Sequence, residues 1–148
     1  MNNPIAFKIL IVENSRTTQA AMSVLLESHG YKVHCVRNGR DAITAVQSTH
    51  FDLILMDLYM PMMNGYEAAS NIRKSKLEYQ NIPIIALTAS TDPKDIEVCK
   101  KAGMNEFFLK SRGDEALMKS IDSYRNNHYP FPAADKKAIQ YGNSKLTE

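Results

Sequence analysis

The sequence predicts an α/β protein built on one parallel sheet, and three observations support this prediction. Short apolar runs alternate with helix-like segments five times between residues 7 and 126. Such strict alternation needs crossover connections, which make the strands parallel and place helices on both faces of the sheet. The chain has 148 residues, of which 44% are apolar, and this is enough for one domain with its own core.

Four of the predicted strands are short apolar runs, and the second, which includes Val33 and Val36, alternates between polar and apolar residues. The five strands are residues 7–12, 32–36, 52–57, 82–87 and 105–109. Near-continuous apolar runs are typical of parallel strands that are buried on both faces. With five β-α units, the expected architecture is a flavodoxin-like (βα)5 three-layer sandwich with strand order 2-1-3-4-5.

Five segments between and after these strands have helical periodicity. They are residues 15–29, 39–49, about 65–77, 91–103 and 113–126. The first helix is expected to bury a face made of Ala21, Val24, Leu25 and Ser28. The faces expected to be buried in the second and fifth helices are Ala42, Ala45 and Val46, and Leu117, Ile121 and Tyr124.

The pattern predicts three regions along the chain. Residues 1–6 form an N-terminal extension, residues 7–126 form the domain, and residues 127–148 form a C-terminal tail or linker. The run from Tyr129 to Pro132 breaks any helix, and the polar remainder is expected to be disordered or to dock locally. A short helix near residues 133–141 stays open.

The composition argues against several classes of function. The net charge of +2, without a basic cluster interleaved with aromatic residues, argues against direct nucleic-acid binding. No apolar run is long enough to span a membrane, and the N-terminus lacks the features of a signal peptide. Cys35 and Cys99 fit neither a disulfide framework nor a zinc site, so both are expected to be small apolar residues in a cytoplasmic protein.

Asp57 is the most informative residue of the chain. It ends the apolar run of residues 53–56, and Pro61 and Gly65 force a loop just beyond it. It therefore lies at the carboxyl end of a central strand, where open α/β sheets place their chemistry. An isolated Asp in such a place is more often a turn or helix-capping residue, so the other strand ends decide between these interpretations.

Polar residues also follow the first, fourth and fifth predicted strands, at the same edge of the sheet. The first strand runs into Glu13 and Asn14, the fourth into Thr88 and Ala89, and the fifth into Lys110. Polar residues after a strand are common individually. Their combination, in register with the predicted sheet, favours a functional site.

The chemistry that these residues indicate is phosphoryl transfer to a carboxylate. Asp57 is the candidate nucleophile and would form an acyl phosphate. Together with Asp57, Glu13 and Asn14 supply hard oxygen ligands suited to Mg²⁺, and the carbonyl of Tyr59 could add another.

The remaining candidates would contact the phosphoryl group. Lys110 would pair with Asp57 before the reaction and then bond a phosphoryl oxygen. The Thr88 hydroxyl would bond a second oxygen, and the small Ala89 would leave room for the incoming group.

The chain resembles the receiver domains of bacterial two-component response regulators over residues 6–126. The matching segments are residues 9–14, 55–65, 84–89 and 103–110. The resemblance implies phosphotransfer from a sensor histidine kinase or a histidine phosphotransfer protein to Asp57, Mg²⁺ dependence and slow self-catalysed dephosphorylation. It implies a signalling phosphoacceptor in the cytoplasm, not an enzyme, with no direct contact to nucleic acid or membrane.

Asn14 departs from the family pattern, which usually has two acids after the first strand. It takes the place that the family uses for direct contact with the metal. Losing one negative charge at close range is expected to weaken Mg²⁺ binding and to reduce the repulsion that raises the pKa of Asp57. The prediction is that phosphorylation survives but needs more Mg²⁺.

Two further departures lie around the fifth strand. Ser111 replaces a proline that is often cis, and a non-proline cis bond costs ~3 kcal/mol, so a trans peptide is expected after Lys110. Phe107 takes the place of the family's switch aromatic, which moves inward when Thr88 turns to the phosphoryl group. Phe107 lacks a hydroxyl, and an alternative stays open in which Phe107 and Phe108 are ordinary strand residues, one inside and one outside.

Three functions are compatible with these residues. The leading hypothesis is a phosphorylation switch that acts through the face of the fourth helix, fifth strand and fifth helix, with a homodimer possible. The second is an interaction module independent of phosphate, which Asn14 and Ser111 favour. The third is a flavodoxin-like cofactor binder, which Glu13 disfavours because it would repel a phosphate. The start at Met1 and the tail favour a stand-alone regulator over part of a hybrid kinase.

Overall fold

The computed structural model describes residues 6–75, 81–127, 140–141 and 144–145. The first five strands are β1 (Lys8–Val12), β2 (Lys32–Val36), β3 (Leu53–Asp57), β4 (Ile84–Thr88) and β5 (Glu106–Leu109). The helices are α1 (Arg16–Ser28), α2 (Gly39–Ser48), α3 (Gly65–Lys74), α4 (Pro93–Lys101) and α5 (Asp114–Asn127). A 3₁₀ turn over Lys110–Arg112 joins β5 to α5.

These five strands form a parallel sheet in the order β2-β1-β3-β4-β5, which confirms the predicted topology. The register places Val12 beside Met56 and Asp57 beside Leu87. The strand order reverses between β1 and β3, and their carboxyl ends therefore lie side by side at the switch point of the sheet.

Helices cover the sheet on both faces, and each face has its own core. One core packs against α2, α3 and α4 and includes Phe107, while the other packs against α1 and α5 and includes Phe108. The alternative that one of these two rings lies inside and the other outside is therefore wrong. Successive residues of a strand point to opposite faces, and both faces of this sheet are buried.

Helix α1 buries a different face from the one expected. Val24 is 70% exposed, whereas Leu26 is fully buried and Met22 and Leu25 are partly buried. Met22, Leu25 and Leu26 also have helical spacing, and their side chains are larger than most of those on the expected face. This stripe packs on the sheet because it removes more apolar area from water. The faces expected in α2 and α5 are buried.

The helix ends follow local capping. Asn64 begins α3 with a capping box to Glu67, and Asp92 caps α4 with Pro93 in its first turn. Helix α3 ends at Lys74, before the expected end at about residue 77. The remaining positions of that prediction, residues 76 and 77, lie outside the described residues.

Two further strands extend the sheet next to β5. β6 (Gln140–Tyr141) pairs with β5 in parallel, and β7 (Ser144–Lys145) pairs with β6 in antiparallel fashion. Residues 140–141 are therefore strand, where the sequence left a helix open. The rest of the proposed tail and the N-terminal extension up to residue 5 lie outside the described residues.

Two backbone properties bear on the predictions. No cis peptide occurs in the described part of the chain, so the Lys110–Ser111 peptide is trans, as the cost of a non-proline cis bond predicts. Among the described helices, none combines the length and the apolar character that crossing a membrane requires.

Candidate functional site

Side chains from the ends of three strands meet at the carboxyl edge of the sheet. The ammonium nitrogen of Lys110 lies 3.4 Å from Glu13 Oε1 and 3.9 Å from Asp57 Oδ2. The side chains of Glu13 and Asp57 are 5% and 14% exposed, whereas that of Lys110 is 39% exposed. The structure thus brings two nearly buried carboxylates and one accessible cation together, across 97 positions of sequence between Glu13 and Lys110.

Glu13 is oriented by the turn that begins α1. Its main-chain N–H still donates to Val36 O of the sheet at 3.0 Å. Its Oε2 accepts a hydrogen bond from the N–H of Ser15 at 2.9 Å, which leaves Oε1 directed at Lys110. Because Ser15 is also the N-cap of α1, the start of the helix fixes the direction of the carboxylate.

Asp57 is held at the start of a tight loop. The N–H of Tyr59 donates to Asp57 Oδ1 at 3.3 Å, and the N–H of Gly65 donates to Leu58 O at 2.8 Å. A Cβ added at Gly65 would lie 2.2 Å from Asp57 O, which is closer than two non-bonded atoms can approach. Glycine at this position therefore lets α3 begin directly against the backbone of Asp57.

The surroundings of Asp57 disfavour its charge. Burial raises the pKa of the Asp57 carboxyl, and the nearby charge of Glu13 raises it further. Lys110 and the N–H groups of Tyr59 and Leu58 act in the opposite direction but do not cancel these effects. A cation next to Asp57 would therefore stabilise the charged form of its carboxyl.

Thr88 and Ala89 lie at the same edge, at the end of β4. Thr88 follows Leu87, the neighbour of Asp57 in the sheet, and is buried. Its Oγ1 accepts a hydrogen bond from the N–H of Ser90 at 3.0 Å. Ala89, which follows Thr88 directly, is exposed.

The oxygen groups fit a hard divalent cation such as Mg²⁺. Glu13 and Asp57 contribute two carboxylates, and the exposed Asn14 follows Glu13 directly. In the described part of the chain, no cluster of three or more His, Cys, Asp or Glu side chains is placed to hold a metal. Mg²⁺ needs one or two carboxylates and keeps several waters, so the pair suffices, and a cation there would relieve the repulsion that raises the pKa of Asp57.

The structure also shows two polar contacts that the sequence did not reveal. The phenol of Tyr59 donates to Asp95 in the first turn of α4, although only the Tyr59 carbonyl was a candidate. Glu106 is buried in β5 and accepts hydrogen bonds from Ser120 at 2.7 Å and Tyr124 at 3.1 Å. The acid at the start of the apolar strand β5 was a signal for the contacts of Glu106. No sequence pattern links Tyr59 to Asp95.

Residues 9–122 match the family model described as the response regulator receiver domain. The chain belongs to this family. Its domain is similar to part of the CAI-1 autoinducer sensor kinase/phosphatase CqsS of Vibrio cholerae, with 34% identity over 117 residues, or 79% of this chain and 17% of that protein. Protein PilH of Pseudomonas aeruginosa is 32% identical over 116 residues, or 78% of this chain and 95% of PilH.

A receiver domain solved by crystallography has the same fold. It comes from a sensor histidine kinase of Pseudomonas aeruginosa and carries a magnesium ion in its active-site cleft. The two chains are 35% identical with a TM-score of 0.71, and the match covers 79% of this chain and 94% of that one. The resemblance inferred from the sequence is thereby confirmed, and the chain is a receiver domain of two-component signalling.

The relatives differ greatly in length. This chain spans less than a fifth of CqsS and of several other sensor kinases that it matches, but almost the whole of PilH. The same receiver domain therefore occurs within large kinases and as nearly an entire protein.

Proposed function

We propose that this receiver domain accepts a phosphoryl group on Asp57 and switches the binding of a signalling partner. The observation that carries the proposal is the position of Lys110, within 4 Å of both Glu13 and Asp57. A purely structural Asp would gain nothing from a second buried carboxylate beside it, because like charges repel strongly when they are shielded from water. A phosphoryl acceptor uses this arrangement to hold a cation and to neutralise the incoming group.

In the proposed reaction, an oxygen of Asp57 attacks the phosphorus of a phosphohistidine. A new O–P bond forms, the P–N bond breaks, and the imidazole leaves with its electron pair and takes up a proton. Lys110 turns from the carboxylates to a phosphoryl oxygen, which its partial exposure allows. Thr88 Oγ1 leaves the N–H of Ser90 and donates to a second phosphoryl oxygen, while Ala89 leaves room for the donor.

Glu13, Asp57, Asn14 and the carbonyl of Tyr59 would hold Mg²⁺, which supplies positive charge next to the transferred group. The related receiver domain with magnesium in its cleft supports this assignment. Because Asn14 provides an amide oxygen without a negative charge, we expect this receiver to bind Mg²⁺ more weakly than one with an acid at that position.

The proposed donor is a sensor histidine kinase or a histidine phosphotransfer protein, as the sensor-kinase relatives suggest. The proposed output face consists of α4, β5 and α5, which a downstream partner or a second copy of the chain would bind. Phosphorylation would reach this face through Thr88 and Phe107. We place these encounters in the cytoplasm, without nucleic acid or membrane as direct partners, and expect the chain to catalyse only its own phosphotransfer and slow dephosphorylation.

Labelling with acetyl phosphate and Mg²⁺, followed by separation on Phos-tag gels, tests the proposal. We expect the wild type to shift and the Asp57→Asn variant not to shift. Asp41→Asn is the matched control, because it removes an exposed carboxylate from the first turn of α2 and leaves the site intact. Labelling of Asp57→Asn to the same extent as wild type would disprove the assignment of the acceptor.

A second candidate function is an interaction module that works without phosphate and binds metal weakly. The observation in its favour is Asn14, which leaves two acids at the strand ends. The same gels separate the two functions. An unlabelled wild type at high Mg²⁺ concentration, with folding verified by circular dichroism, would favour the second.

A further inference from the structure

The side chain of Tyr59 connects the acceptor loop to helix α4. Its phenolic O–H donates a hydrogen bond to Asp95 Oδ1, 36 residues further along the chain. Its main-chain N–H donates to Asp57 Oδ1 at 3.3 Å. One residue therefore joins the proposed phosphoacceptor and the first turn of α4 through two hydrogen bonds.

Asp95 depends on this contact. It is a carboxylate only 8% exposed, and a buried polar group is costly unless it is hydrogen-bonded.

Helix α4 has fewer buried side chains than α3. Within its nine residues, Asp95 and Cys99 are buried, and Ile96 packs partly buried against the core. Helix α3, of similar length, buries four small or apolar residues, which are Gly65, Ala68, Ala69 and Ile72. Because α4 gains less from apolar burial than α3 does, a single polar contact has a larger share in fixing its position.

Phe107, one of the two aromatic residues of β5, is buried, and Thr88 Oγ1 accepts a hydrogen bond from the N–H of Ser90. In contrast, Tyr59 is 54% exposed and its ring meets that of Tyr66 edge-on, at 6.2 Å between centroids. Of these aromatic side chains, the one with room to move is the one that contacts both the acceptor residue and α4.

We infer that the Tyr59–Asp95 hydrogen bond couples the state of Asp57 to α4, as a positioning contact separate from Thr88 and Phe107. The inference rests on the proposed function of Asp57. Formation of the acyl phosphate moves the negative charge from the carboxyl oxygens of Asp57 to the phosphoryl oxygens. The carboxyl oxygen that accepts from the N–H of Tyr59 becomes a neutral acceptor, and this hydrogen bond is weakened. The loop then loosens, the phenol leaves Asp95, and the first turn of α4 opens more often.

Hydrogen exchange of residues 93–101 measures this coupling directly. In the wild type, saturation with beryllofluoride and Mg²⁺ should raise exchange in α4 by about threefold or more. In Tyr59→Phe, exchange should already be raised by a similar factor without ligand, and beryllofluoride should change it less than about twofold. Asp95→Asn keeps an oxygen that accepts from the phenol, so its α4 should stay closer to wild type than that of Tyr59→Phe.

Tyr31→Phe is the matched control. It removes a phenol-to-aspartate hydrogen bond of the same kind, between Tyr31 and Asp122, but Asp122 belongs to α5. This variant should raise exchange in α5, leave exchange in α4 at the wild-type rate, and keep the α4 response to beryllofluoride.

Fluorine NMR of the same samples reports whether beryllofluoride is bound. Wild-type exchange of α4 in ligand-free Tyr59→Phe would overturn the inference, and so would a full beryllofluoride response in that variant. If no bound beryllofluoride is detected in the wild type at saturating Mg²⁺, the proposed function itself fails and the coupling fails with it. The NMR signal distinguishes this result from the first two.

Discussion

At the amino ends of β4 and β5 a buried polar side chain is surrounded by hydrogen-bond donors, whereas at the carboxyl ends of β1 and β3 one nearly buried carboxylate lies close to another. The first is Asn105, whose Oδ1 accepts from the N–H of Ile84 and from Arg73 Nη2, both at 2.8 Å. Arg73 Nε also donates to Gly103 O at 2.9 Å. These bonds tie α3, β4 and the turn before β5 together.

The second is Asp57, where burial and the charge of Glu13 both raise the pKa of the carboxyl. A fully satisfied polar group stabilises the fold, and removing one partner is costly. A carboxylate kept beside a like charge lowers stability but remains ready for a cation or a phosphoryl group. One end of the sheet therefore stabilises the fold, whereas the other holds two like charges close together, as the proposed phosphoryl acceptor requires.

The largest expected effect is on the reactive end, from Lys110→Met. Removing the cation that neutralises the transferred group should lower the rate of acetyl phosphate labelling by about 100-fold. Time courses on Phos-tag gels measure this rate. Lys119→Met, at an exposed position of α5, is the control and should label at the wild-type rate. A similar rate in both variants would show that Lys110 does not act in the reaction.

At the opposite end, Asn105→Ala should lower the free energy of unfolding by roughly 2–3 kcal/mol, because the N–H of Ile84 and Arg73 Nη2 lose their acceptor in a buried place. Urea denaturation measures this loss. Asn71→Ala removes an exposed amide from α3 and should change stability by less than about 0.5 kcal/mol. Equal losses in the two variants would contradict the role given to Asn105.

Asn14→Asp restores a negative charge at the reactive end and should lower the Mg²⁺ concentration for half-saturation by about tenfold. Titration of Mg²⁺ against beryllofluoride binding measures it. Asn71→Asp adds the same charge on the exposed surface of α3 and should shift the midpoint by less than about twofold. If the wild type reached half-saturation at the same Mg²⁺ concentration as Asn14→Asp, the prediction that Asn14 weakens Mg²⁺ binding would be wrong.

The smallest effect is a pH dependence of stability. Since the pKa of Asp57 in the folded protein lies above its ordinary value of 3.8, folding favours the protonated form. Its stabilising contribution is complete below that value and is lost as the pH rises through the raised pKa. Relative to Asp57→Asn, the wild type should therefore gain stability as the pH falls from about 7 to about 4 in EDTA.

Urea denaturation of both proteins across this range gives the difference. Asp41→Asn controls for the loss of an exposed carboxylate. A difference between wild type and Asp57→Asn that stays constant, or that grows with falling pH in favour of the variant, would contradict the strain assigned to Asp57.

Much of the fold followed from local patterns. Strands β1, β3, β4 and β5 were predicted because burial on both sides of a parallel sheet leaves nearly continuous apolar runs, whereas β2, at the edge of the sheet, was predicted from its alternation. The strand order was predicted from the five β-α units, and the buried faces of α2 and α5 from helical periodicity. Helix α1 shows where a pattern is insufficient, since Val24 and Leu26 both belong to stripes with helical spacing. Leu26 is buried and Val24 is exposed because of how their side chains fit against the sheet, and this fit exists only in the assembled core.

The candidate site, like the fold, was only partly predictable from the sequence. The candidate residues were visible as polar positions after strands, because parallel strands end at one edge of the sheet. Their distances were not visible, and neither was the burial of Phe107 and Phe108 on opposite faces. The pairing of β6 with β5 and the contact between Tyr59 and Asp95 joined segments that have no common period in the sequence.

By itself, the sequence determined the sheet, its topology, the family and the set of polar residues at the reactive edge, because periodicity and strand ends are local properties that each segment carries. The tertiary structure alone decided which carboxylates share a cation, which side chains are buried and how the acceptor loop touches α4. Those properties depend on distances between residues far apart in the chain, and a distance of a few ångströms is what separates a strong charge interaction from a negligible one.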